Sequence, residues 1–186
     1  MINKIELVDS QNILKYIKVN KENFEIAYNI QKQIWVDEPD FNNFKQKSES
    51  RTKDNVSWIV YYNDTPIGIT GVFTEDFDSE TIWLDWYGVL PKYRQNGLGK
   101  KILLDTIEYC KKLEKYEYLR LDTTYWDGRP AIFLYDSVMS FKEKYTAEDE
   151  KVSHNWWIYT YSLKGKKDLW NNRYIGLSEY YNELKD

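Results

Sequence analysis

The stretch WLDWYGVLPKYRQNGLGKKILLDTIEYC, residues 83–110, decides how this chain is read. It opens as an aromatic-rich run of the kind that forms a half-buried strand. Strict alternation would put Trp83, Asp85, Tyr87 and Val89 on one face and Leu84, Trp86 and Gly88 on the other. Pro91 ends the run, and Arg94, Gly97 and Gly99 follow in R-x-x-G-x-G spacing. Leu98, Ile102, Leu103, Thr106, Ile107 and Cys110 then recur at helical intervals, so the glycines lie at a strand-to-helix junction. A helix start presents unpaired N–H groups and partial positive charge, which makes it an anion site. Glycine at 97 and 99 removes side chains that would keep a pyrophosphate off that backbone, and Arg94 and Lys100 add charge. A Walker loop is excluded because Lys100 is followed by Lys101, and no stretch satisfies G-x-G-x-x-G. By itself the spacing leaves a phosphate cradle and a plain tight turn both open.

Upstream, Phe24, Ala27, Ile30 and Ile34 predict a helix over Asn23–Trp35, which VDEPDF (36–41) breaks at Pro39. NNFKQKSES (42–50) reads as a second, mostly polar helix, and residues 4–8 as a short strand. SWIVYYNDTPIGITGVF (57–73) is a hairpin, with strands Ser57–Tyr62 and Ile67–Phe73 and a turn at Asn-Asp-Thr-Pro. The acidic EDFDSE (75–80) reads as a solvated turn, and residues 81–90 as a third consecutive strand. Downstream come a strand (118–125), a helix (128–139) and a long final strand (154–163). The tail from Lys164 holds an aromatic-bearing helical stretch, DLWNNRYIGLSEYYNEL. Strands, a helix, then strand–helix–strand make an α/β domain with a mixed sheet.

A chain of 186 residues suits one domain with a real core, and 42% hydrophobic with 30% charged residues is a soluble, globular balance. No apolar run approaches the roughly 20 residues of a membrane helix, and Met-Ile-Asn-Lys-Ile-Glu lacks the shape of a signal peptide. No membrane association and a cytoplasmic location are expected. Cys110 and His154 are the only residues of their types, which excludes a disulfide framework and a His/Cys zinc site; no metal is expected. They also argue against Cys–His catalysis. A net charge of −4 gives no field for nucleic acid, and KGKK (164–167) is too short for that claim. The 8 Trp and 17 Tyr belong mostly to core and strands, with a minority available to a flat or cationic ligand.

Val89, Pro91, Tyr93, Arg94, Gly97 and Gly99 together resemble the signature of the GNAT N-acetyltransferase superfamily, in which a V-x-P strand leads through Y-R-x-x-G-x-G into a helix. The resemblance extends over roughly residues 4–163. It implies a single GNAT-like α/β domain (1–163) with a central, mixed, mostly antiparallel twisted sheet flanked by helices on both faces. A C-terminal helical extension (164–186) would pack on the same domain or on a partner subunit. It implies acetyl-CoA as cosubstrate and direct transfer of acetyl to a primary amine. In similar proteins the pyrophosphate sits on the glycine turn. The backbone of Gln95, Asn96, Gly97, Leu98, Gly99 and Lys100 would then cradle it beside Arg94. The pantetheine arm would run along Tyr87, Val89 and Leu90, with an N–H near Val89 polarising the thioester carbonyl.

Asp85 is the expected base, or the carboxylate that orients the substrate ammonium, and burial between Trp83 and Tyr87 would raise its pKa. RPAIFLYDSVMSF (129–141) resembles the family's A-x-x-x-Y segment, which makes Tyr135 the expected acid toward the thioester sulfur. Two departures stand out: Gly128 replaces the usual CoA-contacting Asn, and Phe141 comes one residue late. Trp35, Asp37, Glu38 and Trp83 are the candidate acceptor contacts, since acidic and aromatic side chains suit a cationic amine. A polyamine, aminoglycoside or amino acid derivative fits that lining, and a protein N-terminus or lysine stays open. A homodimer is the habit of similar proteins. The rival reading is a non-catalytic acyl-CoA-binding module. Cys110 is expected in the core and His154 in a structural role.

Overall fold

The computed structural model describes residues 14–36, 54–75, 78–124, 130–145, 156–167 and Trp170. Its strands are β1 (Leu14–Lys18), β2 (Val56–Tyr62), β3 (Thr65–Phe73), β4 (Thr81–Val89), β5 (Tyr118–Thr124), β6 (Phe141–Tyr145) and β7 (Trp156–Ser162). They form one sheet in the order β1-β2-β3-β4-β5-β7-β6. Only the β4–β5 pair is parallel; the other neighbours run antiparallel. The helices are α1 (Phe24–Ile34), α2 (Leu98–Lys112) and α3 (Pro130–Val138). The parallel pair needs a crossover, and α2 supplies it.

The helices cover both faces, as the resemblance implies. Ala27 and Ile30 of α1 pack with Ile59, Ile69 and Leu90 on one side. On the other, Leu103, Ile107 and Cys110 of α2 and Ile132 and Tyr135 of α3 pack with Trp58, Val72, Ile82, Leu84 and Leu119. Fully burying each such aliphatic side chain is worth about 1.5–3 kcal/mol. Thr106 lies in the same buried stripe of α2, and its hydroxyl is satisfied by Ile102 O (2.9 Å) and Thr70 Oγ1 (3.1 Å).

Several expectations change in detail. The hairpin turn is two residues, Asn63 and Asp64 with φ of 48° and 60°, the primed geometry that Asn and Asp tolerate. Thr65 and Pro66 therefore belong to β3, with a bulge where Tyr61 pairs Pro66. The strand β6 goes unread in the sequence, where the helix is read to 139 and the residues from Phe141 are left unassigned. EDFDSE is only partly a solvated turn: Asp78 is 8% exposed and serves as counter-ion to the fully buried Arg120, 3.1 Å away. A buried guanidinium needs a paired carboxylate. The strand at 4–8, the polar helix at 42–50, Asp37, Glu38, Gly128, His154 and the tail helix lie outside the described residues.

Candidate functional site

The site is organised by an interruption in β4. Register with β3 sets Asp85 opposite Gly71 and Gly88 opposite Ile69, so Trp86 and Tyr87 share Thr70 between them. This is a β-bulge, with Trp86 at a φ of 37°, a value rarely adopted by a bulky residue. The extra residue turns the strand over. Trp83 packs with Phe73 and Trp170, Asp85 stands beside Gly71, and Trp86 and Gly88 meet α1. Leu84, Tyr87 and Val89 face α2 and α3. The expected alternation is therefore corrected: Tyr87 and Val89 lie on the face opposite Trp83 and Asp85, because period two holds only as far as the bulge. Pairing with β5 stops nearby, spanning only Thr81, Ile82 and Trp83. Past the Trp83–Arg120 rung, the two strands form a fork.

At the mouth of that fork, Leu90 donates its N–H to Ile67 O on β3 (2.8 Å). Backbone groups alternate sides along a strand, which points the N–H and C=O of Val89 the other way, toward β5. There the Val89 carbonyl accepts from Arg94 Nε at 2.9 Å. Arg94 thus ties the strand end to the turn as well as bringing charge to it. A short 3-10 turn (Pro91–Tyr93) follows, then Gln95 and Gly97 with φ of 64° and 75°. The first backbone bond of α2 is Lys101 N–H to Gly97 O, 3.0 Å. Among the described residues, no acceptor lies within hydrogen-bond reach of the N–H groups from Gln95 to Lys100. A Cβ on Gly97 would meet nothing within 4 Å, so the concavity is open to an incoming group. Gly99 is closed on its far side, where a Cβ would stand 3.2 Å from Tyr87 Oη. Tyr87 donates that hydroxyl to Gly99 O at 2.7 Å, which fixes the turn to β4. These donors, this charge and this opening fit the pyrophosphate of a CoA thioester.

Tyr135 sits on α3 at 7% exposure, its ring 6.1 Å from that of Tyr87 and 5.4 Å from that of Tyr159. Burial, and then the nearby Tyr135 phenol, raise the pKa of Tyr87 far above the ordinary tyrosine range, so its hydroxyl stays a donor. Asp85 is 8% exposed and lines a cleft of about 190 Å³ with Asn55, Ser57, Thr74 and Glu75. Gly71 stands between Ser57 and Asp85 in the register, and a Cβ there would meet Val56 O at 3.0 Å and Ser57 Oγ at 3.1 Å, so only glycine lets the strands pack this closely beside the cleft. The sequence offers that glycine as its one hint of Ser57, Asn55 and Thr74, whose part goes unread there. Trp35 is half-buried, edge-on to Trp86 at 5.2 Å, on the same side as Asp85. Trp83 is 2% exposed and lies in the core between Phe73 and Trp170, behind the cleft wall. No group of His, Cys, Asp and Glu among the described residues has a metal-binding arrangement. No described helix is long and apolar enough to cross a membrane.

Solved structures share this architecture. The ribosomal-protein-S18-alanine N-acetyltransferase of Escherichia coli is 15% identical with a TM-score of 0.60, over 88% of this chain and 100% of that one. NAA60 of Arabidopsis thaliana in complex with acetyl-CoA is 16% identical with a TM-score of 0.61, over 82% and 100%. A GNAT family acetyltransferase from Elizabethkingia anophelis with acetyl-CoA bound is 16% identical with a TM-score of 0.58, over 83% and 99%. At these identities the likeness is one of fold. No curated protein matches the sequence. Residues 21–141 match the family described as Acetyltransferase (GNAT) family, and they include the whole run from α1 through the forked β4 and the glycine turn to α3. With that match spanning well over half of its length, the chain belongs to the GNAT acetyltransferase family.

Proposed function

We propose that the protein transfers an acetyl group from acetyl-CoA to the primary amine of a small cationic acceptor. The observation that carries this reading is the run of N–H groups from Gln95 to Lys100 with no acceptor among the described residues, at the head of α2 and beside the fork. Acetyl-CoA supplies an activated acyl carbon and a thiolate leaving group. Gln95 to Lys100 hold its pyrophosphate, and the β5-facing backbone of Tyr87 and Val89, with Leu90 at the strand end, guides its arm. The Val89 N–H donates to the acyl oxygen, where negative charge develops.

A primary amine with a pKa near ~10 is almost wholly charged at pH 7 and cannot attack until it loses a proton. Asp85 accepts that proton from the α1 side of β4. Tyr135 donates its phenolic proton to the sulfur from the α3 side. A small cation is favoured because the cleft at Asp85 is about 190 Å³ and carries a second carboxylate, Glu75. The Trp35–Trp86 pair adds aromatic faces on the same side. The same reading places the protein in the cytoplasm, in keeping with its single, buried, unpaired Cys110.

The test is release of free thiol from acetyl-CoA across polyamines, aminoglycosides, amino acids and basic peptides. Turnover should concentrate in one class of small amine, and Tyr135→Phe should abolish it while acetyl-CoA affinity holds. Binding of acetyl-CoA with no turnover on any acceptor would shift the reading to an acyl-CoA-binding module.

A further inference from the structure

Trp170 lies beyond β7 and outside residues 21–141 of the family match. Its side chain is 1% exposed and edge-on to Trp83, with ring centroids 5.3 Å apart. The guanidinium of Arg120 stands 5.4 Å from the centre of the Trp170 ring. Trp83 and Arg120 are register partners, the last rung before β4 and β5 part. Arg120 is itself pinned: Nη1 donates to Asp78 (3.1 Å) and Thr81 Oγ1 (2.6 Å), and Nε to Thr160 Oγ1 on β7 (3.2 Å). The backbone N–H of Trp170 donates to the Glu143 carboxylate on β6, which anchors Trp170 to that strand. The indole Nε1 has no partner among the described residues, so the position uses the volume of the ring and not its donor.

We propose that Trp170 is a clamp on the fork, fixing the rung at which β4 and β5 separate and so setting the width of the CoA groove. The CoA part of this rests on the function proposed above. A buried ring packed on the side chains of both partners of the final rung ties β4 to β5 there and opposes fraying of that rung. Trp170 is thus a positioning residue that acts through Trp83 and Arg120.

The test uses the full-length protein with two readouts, hydrogen exchange resolved by segment and calorimetric titration with CoA. Trp170→Leu should speed exchange in 84–87 and 121–123 at least about tenfold relative to β2 and β3. It should weaken CoA by about tenfold, measured well below its melting temperature. Trp170→Phe, which keeps a ring, should stay near wild type in both. Exchange accelerated evenly across the sheet, with CoA affinity intact, would mark a merely structural residue and overturn the clamp. Should Trp170→Leu fail to fold, Glu143→Ala releases the anchor without opening a core cavity. It must speed the same two segments, or the clamp is refuted. If the wild type binds no CoA, the proposed function falls, and the exchange pattern still decides the clamp.

Discussion

Gly97 separates backbone strain from anion approach within a single residue. Its φ of 75° lies where a side-chain-bearing residue costs about 1–2 kcal/mol. Replacing glycine returns about 0.4–1 kcal/mol by stiffening the unfolded chain. Gly97→Ala should therefore destabilise by about 0.5–1 kcal/mol net, which for a chain of this length lowers Tm by about 1–4 °C. The methyl itself meets no protein atom within 4 Å, so no steric cost is added in the free protein. With CoA the result differs, because the methyl projects into the concavity where the pyrophosphate must approach the N–H groups. Affinity should fall by about tenfold or more, equivalent to about 1.4 kcal/mol. Gly97→Asn tolerates the left-handed region and should recover most of the stability but not the affinity. Thermal melts and calorimetry on the three proteins suffice. An Asn variant that binds CoA as tightly as wild type would refute the placement of the anion at Gly97, and an Ala variant of unchanged Tm would refute the strain argument.

Asp85→Asn should lower kcat by about 10²–10⁴ with CoA affinity unchanged, read by thiol release and calorimetry. Gly88→Ala places a methyl 2.8 Å from Ile34 Cγ2 and 3.1 Å from Trp35 Cη2. Those are side-chain atoms that can yield, so it should cost about 1–3 kcal/mol and raise KM for the amine more than for acetyl-CoA. Cys110 is 1% exposed with its thiol pushed up to about 12 by burial, so a disulfide reagent at pH 8 should leave it intact until the protein unfolds. Burial also raises the pKa of Tyr16 and Tyr87 above the ordinary value of 10.0. The stability these groups contribute is whole below that pH and is lost as pH climbs above it. Tyrosinate absorbance should then rise together with unfolding; smooth titration of every tyrosine in a folded protein would contradict their burial.

What the sequence made legible was local. Arg94, Gly97, Gly99 and the apolar face of α2 are close in the chain, and their spacing encodes the strand–turn–helix directly. What stayed hidden depends on partners far along the chain. The bulge at Trp86 is defined only against Gly71 and Ile69, so alternation within β4 could not reveal that Tyr87 and Val89 face away from Asp85. Asp78 looks solvated until Arg120, 42 residues away, is brought onto it. The Asp85 cleft likewise is lined by residues from 55 to 85 that only the pairing of three strands brings together. The strand β6 follows a helix with only Met139 and Ser140 between, and FKEKY is short and mostly charged, so no apolar run marks it in the sequence. Tyr87 shows no sign in sequence of its bond to Gly99 O, twelve residues on.

The bulge in β4 also bears on how such a protein can change. Because the strand turns over between Asp85 and Tyr87, neighbouring codons of one short segment serve two separate chemical surfaces. On the function proposed above, substitutions on the α1 side, at Trp86 or in the helix that covers it, would explore new acceptors and leave intact the turn assigned to the nucleotide end. The reverse follows from the same reading, since the side chains of Tyr87 and Val89 lie on the opposite face of the sheet from Asp85. Libraries aimed at altered acceptor choice should therefore draw on Trp35, Ser57, Glu75 and Trp86, and keep fixed every position from Tyr87 to Gly99.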